Sequence, residues 1–168
     1  WTAAGYGVEL IDAVTPDTMS DELNFSSTKM WGKTKRPFTD TEKAVFYSHL
    51  KCWKLTKRKT SPSIIIEHDA LLKNPWINEL IYDYDIAPLC AWPAVAYYIR
   101  ASASKSLIET VTTEELIGNL DAYVWLEMKK NHKKEKDLEL NKNVVTQYQD
   151  ETVGNTIEHP DYAYARRS

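Results

Sequence analysis

The chain has 168 residues, of which 43% are hydrophobic and 27% charged, with a formal net charge of −3. That is the size of one ordinary domain with a real core, and the balance excludes wholesale disorder. The small negative charge excludes a globally basic nucleic-acid binder, and no apolar run approaches a membrane span. Val8 to Val14 is rich in strand formers and ends in the turn chemistry of Thr15-Pro16-Asp17, which predicts a short strand. Residues 18–37 show no sustained period and predict an irregular excursion of the kind that serves as a functional loop. Thr39 or Asp40 caps the next element, with Glu42 placed for a capping box, and a helix is predicted to Thr56. Phe46, Leu50 and Trp53 form its buried stripe, while Val45, His49 and Cys52 form the adjoining one. A lone histidine so placed is more often a satisfied core residue than a ligand.

Ser63-Ile64-Ile65-Ile66 predicts a strand buried on both faces, because β-branched residues suit the pleat and no polar alternation interrupts them. It breaks off into Glu67-His68-Asp69. Carboxylates at the end of a buried strand are costly unless a ligand uses them, as in open α/β sheets, although a solvated polar turn would give the same residues. Asn74-Pro75 opens a turn with Trp76, Ile77 and Leu80 inward. Tyr82-Asp83-Tyr84-Asp85 alternates rings and acids, which suits a sugar or base as well as it suits a surface strand. Pro93 to Ile99 predicts a strand, Ala101 to Thr110 a helix, and Glu114 to Asn131 a second helix begun by Thr113, with Asp121 interrupting its apolar face. His132 to Lys142 is a charged, solvated stretch, Asn143 to Tyr148 the last strand, and the tail from Glu151 crosses the surface. Strands alternating with helices predict an α/β sandwich.

Three basic clusters stand out: Lys33, Lys35 and Arg36; Lys54, Lys57, Arg58 and Lys59; Lys129, Lys130, Lys133, Lys134 and Lys136. Such clusters are usually solvated faces. Cys52 and Cys90 form no CxxC and suit reduced thiols in a cytoplasmic protein. No signal peptide is visible, and the chain opens on Trp1. There is no GxGxxG, P-loop or metal-finger spacing.

Phe38 to Trp53, with Ser48-His49 followed by Trp53, is similar to the helix of glycosyltransferase family 25, which holds lipooligosaccharide and collagen galactosyltransferases. Ile64 to Asp69 resembles that family's strand ending in Glu-Asp-Asp, with His68 in place of the middle acid. Ala94 to Ile99 resembles the segment before its Ala/Leu-rich helix, Asp121 its Pro-hydrophobic-Asp element, and Val144 to Gln147 with Thr156-Ile157 its closing strand and end. Together these cover most of residues 5–157. The resemblance implies one GT-A-like domain, a Rossmann-type sandwich with a mostly parallel central sheet flanked by helices, lacking the family's first strand and helix before Gly5. It implies transfer of a hexose or pentose from a nucleoside-diphosphate sugar, most often a UDP-sugar, to an acceptor hydroxyl with inversion. Asp69 and His68 would hold a divalent metal, Mn²⁺ or Mg²⁺, against the diphosphate. Ser48, His49, Glu67, His68, Gln147 and Thr156 would bind the donor, with Asp121 or Asp69 as catalytic base. The acceptor is a saccharide, a protein or modified DNA. Two other readings stay open: a phage enzyme acting on modified DNA bases, and a non-catalytic GT-A-like binding module.

Overall fold

The structure is a computed structural model that describes residues 7–31, 34–74, 79–132 and 143–147. After a single 3-10 turn at Pro16–Thr18, the order is β1 (Lys29–Trp31), β2 (Thr34–Arg36), α1 (Asp40–Thr56), β3 (Ser63–Ile66) and β4 (Ala70–Leu72). A 3-10 segment at Glu79–Asp83 leads to β5 (Ile86–Pro88), β6 (Ala96–Ile99), α2 (Ala101–Thr113), α3 (Leu120–Asn131) and β7 (Val145–Gln147).

Helix α1 begins where its local chemistry requires. The Glu42 N–H donates to Thr39 Oγ1 at 3.2 Å and the Thr39 N–H donates to Glu42 Oε2 at 3.0 Å, so two backbone donors left over at the helix end are satisfied reciprocally. Phe46, Leu50 and Trp53 are all buried, as their spacing predicts. Strand β3 is covered on both faces. Ile65 packs with Tyr97, Ile99 and Ile86 against the three helices, whereas Ile64 and Ile66 face a second cluster of Ala87, Leu89, Val95, Ala96, Tyr98, Val144 and Val145. Period-two alternation along β6 therefore divides its side chains between two apolar layers.

The α/β class stands, but the sheet is not mostly parallel. The central sheet has the order β3-β6-β5 with both pairings antiparallel, and the pairs β1–β2 and β4–β7 are antiparallel as well. Residues 89–95 are too short a link between β5 and β6 for the crossover of a dozen or more residues that a parallel pair needs. No strand forms over Val8–Val14; this segment lies along α1, with the Val14 N–H donating to Ser48 Oγ at 2.9 Å and Lys51 Nζ donating to the Asp12 carbonyl at 3.0 Å. The stretch expected to be irregular contains the β1–β2 hairpin. Tyr82 to Asp85 is not a strand but the end of the 3-10 segment and the bend after it. Helix α3 starts at Leu120 with Asn119 as its cap, not at Thr113, because Leu116 is held by backbone bonds with Asn24 and Ser26. Trp76, Ile77, the stretch 133–142 and the tail from Glu151 lie outside the described residues.

Candidate functional site

Glu67 leaves β3 with its backbone still paired: its N–H donates to the Val95 carbonyl at 2.8 Å. Its own carbonyl accepts the Ala70 N–H at 3.1 Å, which closes a turn with His68 and Asp69 at the centre. His68 is exposed and Asp69 is partly buried. Strand β4 follows immediately and pairs with β7, so Gln147 stands opposite Ala70 in register, next to the turn.

The Glu67 side chain turns toward α1, where its Oε1 lies 3.3 Å from His49 Nε2, with the two side chains 25% and 6% exposed. His49 Nδ1 is 2.8 Å from the Tyr97 hydroxyl, and the Trp53 Nε1–H donates to that same hydroxyl at 2.8 Å. The His49 and Tyr97 rings stack with centroids 5.8 Å apart. Burial drives the Tyr97 phenol well above its ordinary value, so it is a hydroxyl and not a phenolate.

Asp121 arrives from the first turn of α3, which Asn119 Oδ1 caps by accepting the Ala122 N–H at 3.1 Å. Asp121 Oδ1 accepts the Ala94 N–H at 3.0 Å. Ala94 and Val95, neighbours in one turn closed by the Val95 N–H donating to the Trp92 carbonyl, thus hold Asp121 and Glu67 respectively. Burial raises the Asp121 carboxyl above the ordinary aspartate value and the Glu67 carboxylate raises it further, while the Ala94 N–H, His49 and Lys29 oppose the rise. Trp92, on the same turn, is 47% exposed.

A second charged group backs this site. Lys29 of β1 is 1% exposed and bonded to Glu42, which also receives Arg36 at 2.7 and 2.9 Å. Arg36 is thereby committed to an internal pair, and Lys54 and Lys59 to Glu22 and Glu9.

Among the predicted site residues, His49, Glu67 and Asp121 converge, with His68, Asp69 and the Gln147 position along the adjoining turn. Ser48 faces elsewhere, its hydroxyl accepting from Val14 and donating to the Ala44 carbonyl. Thr156 lies outside the described residues. No group of three His, Cys, Asp or Glu side chains able to hold a metal forms among the described residues. Tyr97, Trp53 and Ala94 were not predicted. Tyr97 had a readable signal, since alternation puts it on the same face as Ile99 and a buried tyrosine needs a hydroxyl partner. Two surface depressions, of about 420 and 330 Å³, lie beside Arg100 and beside Lys51, away from these carboxylates.

The sequence pattern of glycosyltransferase family 25 (LPS biosynthesis protein) matches residues 2–89, just over half of the chain. The match spans His49 and the Glu67 to Asp69 turn and stops before Tyr97 and Asp121. No curated protein and no solved structure matches the chain. No helix among the described residues is long and apolar enough to cross a membrane.

Proposed function

This chain belongs to glycosyltransferase family 25, and on that premise we propose that it transfers a hexose or pentose from a nucleoside-diphosphate sugar, most readily a UDP-sugar, to an acceptor hydroxyl with inversion. One observation carries the reading: adjacent residues of a single turn, Ala94 and Val95, hold the Asp121 carboxylate and the Glu67 backbone, so the two acids meet where β3 ends and β6 begins and the Glu67 carboxylate acts on that of Asp121. Their environments differ in the way that separates an acid–base group from a binding group. Asp121 is raised by burial and by its acidic neighbour, so it binds a proton more readily than an ordinary aspartate and suits a base that deprotonates the attacking hydroxyl. Glu67 receives a hydrogen bond from His49, and its second oxygen makes no hydrogen bond within the described residues, which suits an acceptor for a sugar hydroxyl.

The donor's diphosphate would lie over the turn of His68 and Asp69, with Gln147 alongside. A carboxylate and an imidazole, completed by phosphate oxygens and water, form a chemically competent set for Mn²⁺ or Mg²⁺, since such ions are commonly held by one or two protein ligands plus the substrate. When bound, the ion would offset the negative charge that grows on the departing nucleoside diphosphate. Trp92, exposed on the turn that holds Asp121, adds an apolar face on which an acceptor sugar, or a sugar carried by another acceptor, can rest.

Asp121→Asn tests the base directly. Asparagine keeps Oδ1 for the Ala94 N–H, so the turn survives while the proton acceptor is lost. Transfer should fall by about 100-fold or more in kcat, with nucleotide-sugar binding retained. A kcat within a few-fold of the native enzyme would remove Asp121 from the mechanism.

A further inference from the structure

We infer that Trp53, acting through Tyr97, fixes which nitrogen of His49 carries its proton, and thereby aims Glu67 as a permanent hydrogen-bond acceptor. The inference deepens the donor-binding reading of Glu67 and rests on it for its kinetic consequence only. One group in this series of contacts has a role that cannot change. An indole N–H donates and cannot accept. Trp53 Nε1 therefore donates to the Tyr97 oxygen at 2.8 Å, in a place where Trp53 and Tyr97 are both 0% exposed to bulk solvent.

A buried phenol that already accepts one hydrogen bond still carries its own proton, and that proton needs an acceptor. The polar atom within reach is His49 Nδ1, at 2.8 Å. Tyr97 donates to it, so Nδ1 is the bare nitrogen and the imidazole proton sits on Nε2. Nε2 faces Glu67 Oε1 at 3.3 Å, and the only bond that satisfies both is N–H to carboxylate. The sequence of donors runs in one direction: Trp53 to Tyr97, Tyr97 to His49, His49 to Glu67. The opposite tautomer would put two donors on the Tyr97 oxygen, leave the phenol proton without an acceptor in the core, and set a bare Nε2 against a carboxylate. The arrangement is a clamp and not a proton relay, because the indole at its far end holds no exchangeable acid function at ordinary pH. Glu67 is consequently held as an orienting acceptor, which leaves the proton-accepting task to Asp121. Tyr97 and Trp53 are positioning residues; neither touches the reacting atoms.

The test is a long-range proton–nitrogen correlation of the histidine rings in the uniformly ¹⁵N-labelled protein, with His49 assigned among the four histidines by loss of its signals in His49→Gln. The expected native pattern has the proton on Nε2 and an acceptor-type Nδ1. A proton on Nδ1 alone, or an even mixture, overturns the inference, and the pattern itself is read from the native protein. In Tyr97→Phe, which keeps the ring and removes the hydroxyl, the Trp53 indole resonance and the His49 Nδ1 resonance should both move, because each loses its hydrogen-bond partner. A His49 Nδ1 resonance unchanged in that variant overturns the inference too. The donor KM of Tyr97→Phe should rise by up to roughly 10-fold, the scale of one hydrogen bond lost behind a ligand-binding side chain. A moved Nδ1 resonance with an unchanged donor KM would leave the clamp standing and overturn the role of Glu67 in donor binding, so the two failures are distinct.

Discussion

Glu42 carries two jobs at one position. Its backbone and one carboxylate oxygen complete the capping box of α1, while the same carboxylate is the charge partner of buried Lys29 and of Arg36. Burial alone would raise its pKa, but the hydrogen bonds from Arg36, Lys29 and the Thr39 backbone outweigh burial and bring it to about 2 from an ordinary 4.5. A carboxyl that is more acidic in the fold than in the unfolded chain stabilises the fold above its unfolded pKa and loses that contribution as pH falls through the folded one. The contribution of Glu42 is therefore complete above pH 4.5 and fades toward pH 2. Glu42→Gln keeps the shape but removes the negative charge that faces buried Lys29, a change that costs about 3 kcal/mol for such pairs. Urea titrations at neutral pH should show that loss, and the gap between variant and native protein should close as the pH is lowered through this window. A gap that stays constant would mean that packing, and not charge, sets the cost.

At the scale of elements, what sequence makes legible is what neighbours in sequence decide. The capping box of Thr39 and Glu42 and the apolar run Ile64 to Ile66 are local patterns; the cap stands in the structure, and the run is buried at Ile65 and partly buried at Ile64 and Ile66. Thr113 offered an equally good cap on paper, yet α3 begins at Asn119, because the Leu116 N–H donates to Asn24 and its carbonyl accepts from Ser26, contacts made with a segment some ninety residues earlier. Val8 to Val14 has strand-forming residues, but it lies along α1 and bonds there to Ser48 and Lys51. The start of α3 has a consequence for chemistry, since Asp121 sits in its first turn. Asn119→Ala removes the acceptor for the Ala122 N–H and should lower stability by about 1 kcal/mol. Transfer should drop with it as the first turn frays and Asp121 loses its fixed place, and Asn119→Ser, which restores a capping oxygen, should recover both. Recovery of stability without recovery of kcat would show that α3 does not position the base.

For the whole molecule, the candidate site was half legible because half of it is local. Glu67, His68 and Asp69 announce themselves as acids and a histidine ending a buried strand. Their relation to His49 and Asp121 depends on how α1, β6 and α3 are brought around that strand, and an expectation of parallel β-α-β crossovers could not supply it, since β6 reaches β3 antiparallel. The antiparallel arrangement is what lets one turn, Trp92 to Val95, hold Glu67 and Asp121 together. A donor bound there would touch β3, α1 and α3 at once, so binding should raise the stability of the whole fold and not only of a loop. Any ligand that prefers the native state raises its melting temperature by mass action, with a stabilisation of about 2.7 kcal/mol at one hundred times its Kd. UDP-galactose and UDP-glucose, with GDP- and CMP-sugars as comparisons, should therefore be scanned with and without Mn²⁺. The expected outcome is a shift with UDP-sugars that grows when Mn²⁺ is present. Asp69→Asn should abolish the Mn²⁺-dependent part and keep the part due to nucleotide sugar alone, because the amide no longer offers an anionic oxygen but the turn at Glu67 remains closed by its backbone. If the Mn²⁺-dependent shift survives in Asp69→Asn, the ion is held elsewhere; if no donor shifts the native protein, the fold binds no nucleotide sugar and the proposed transfer fails with it.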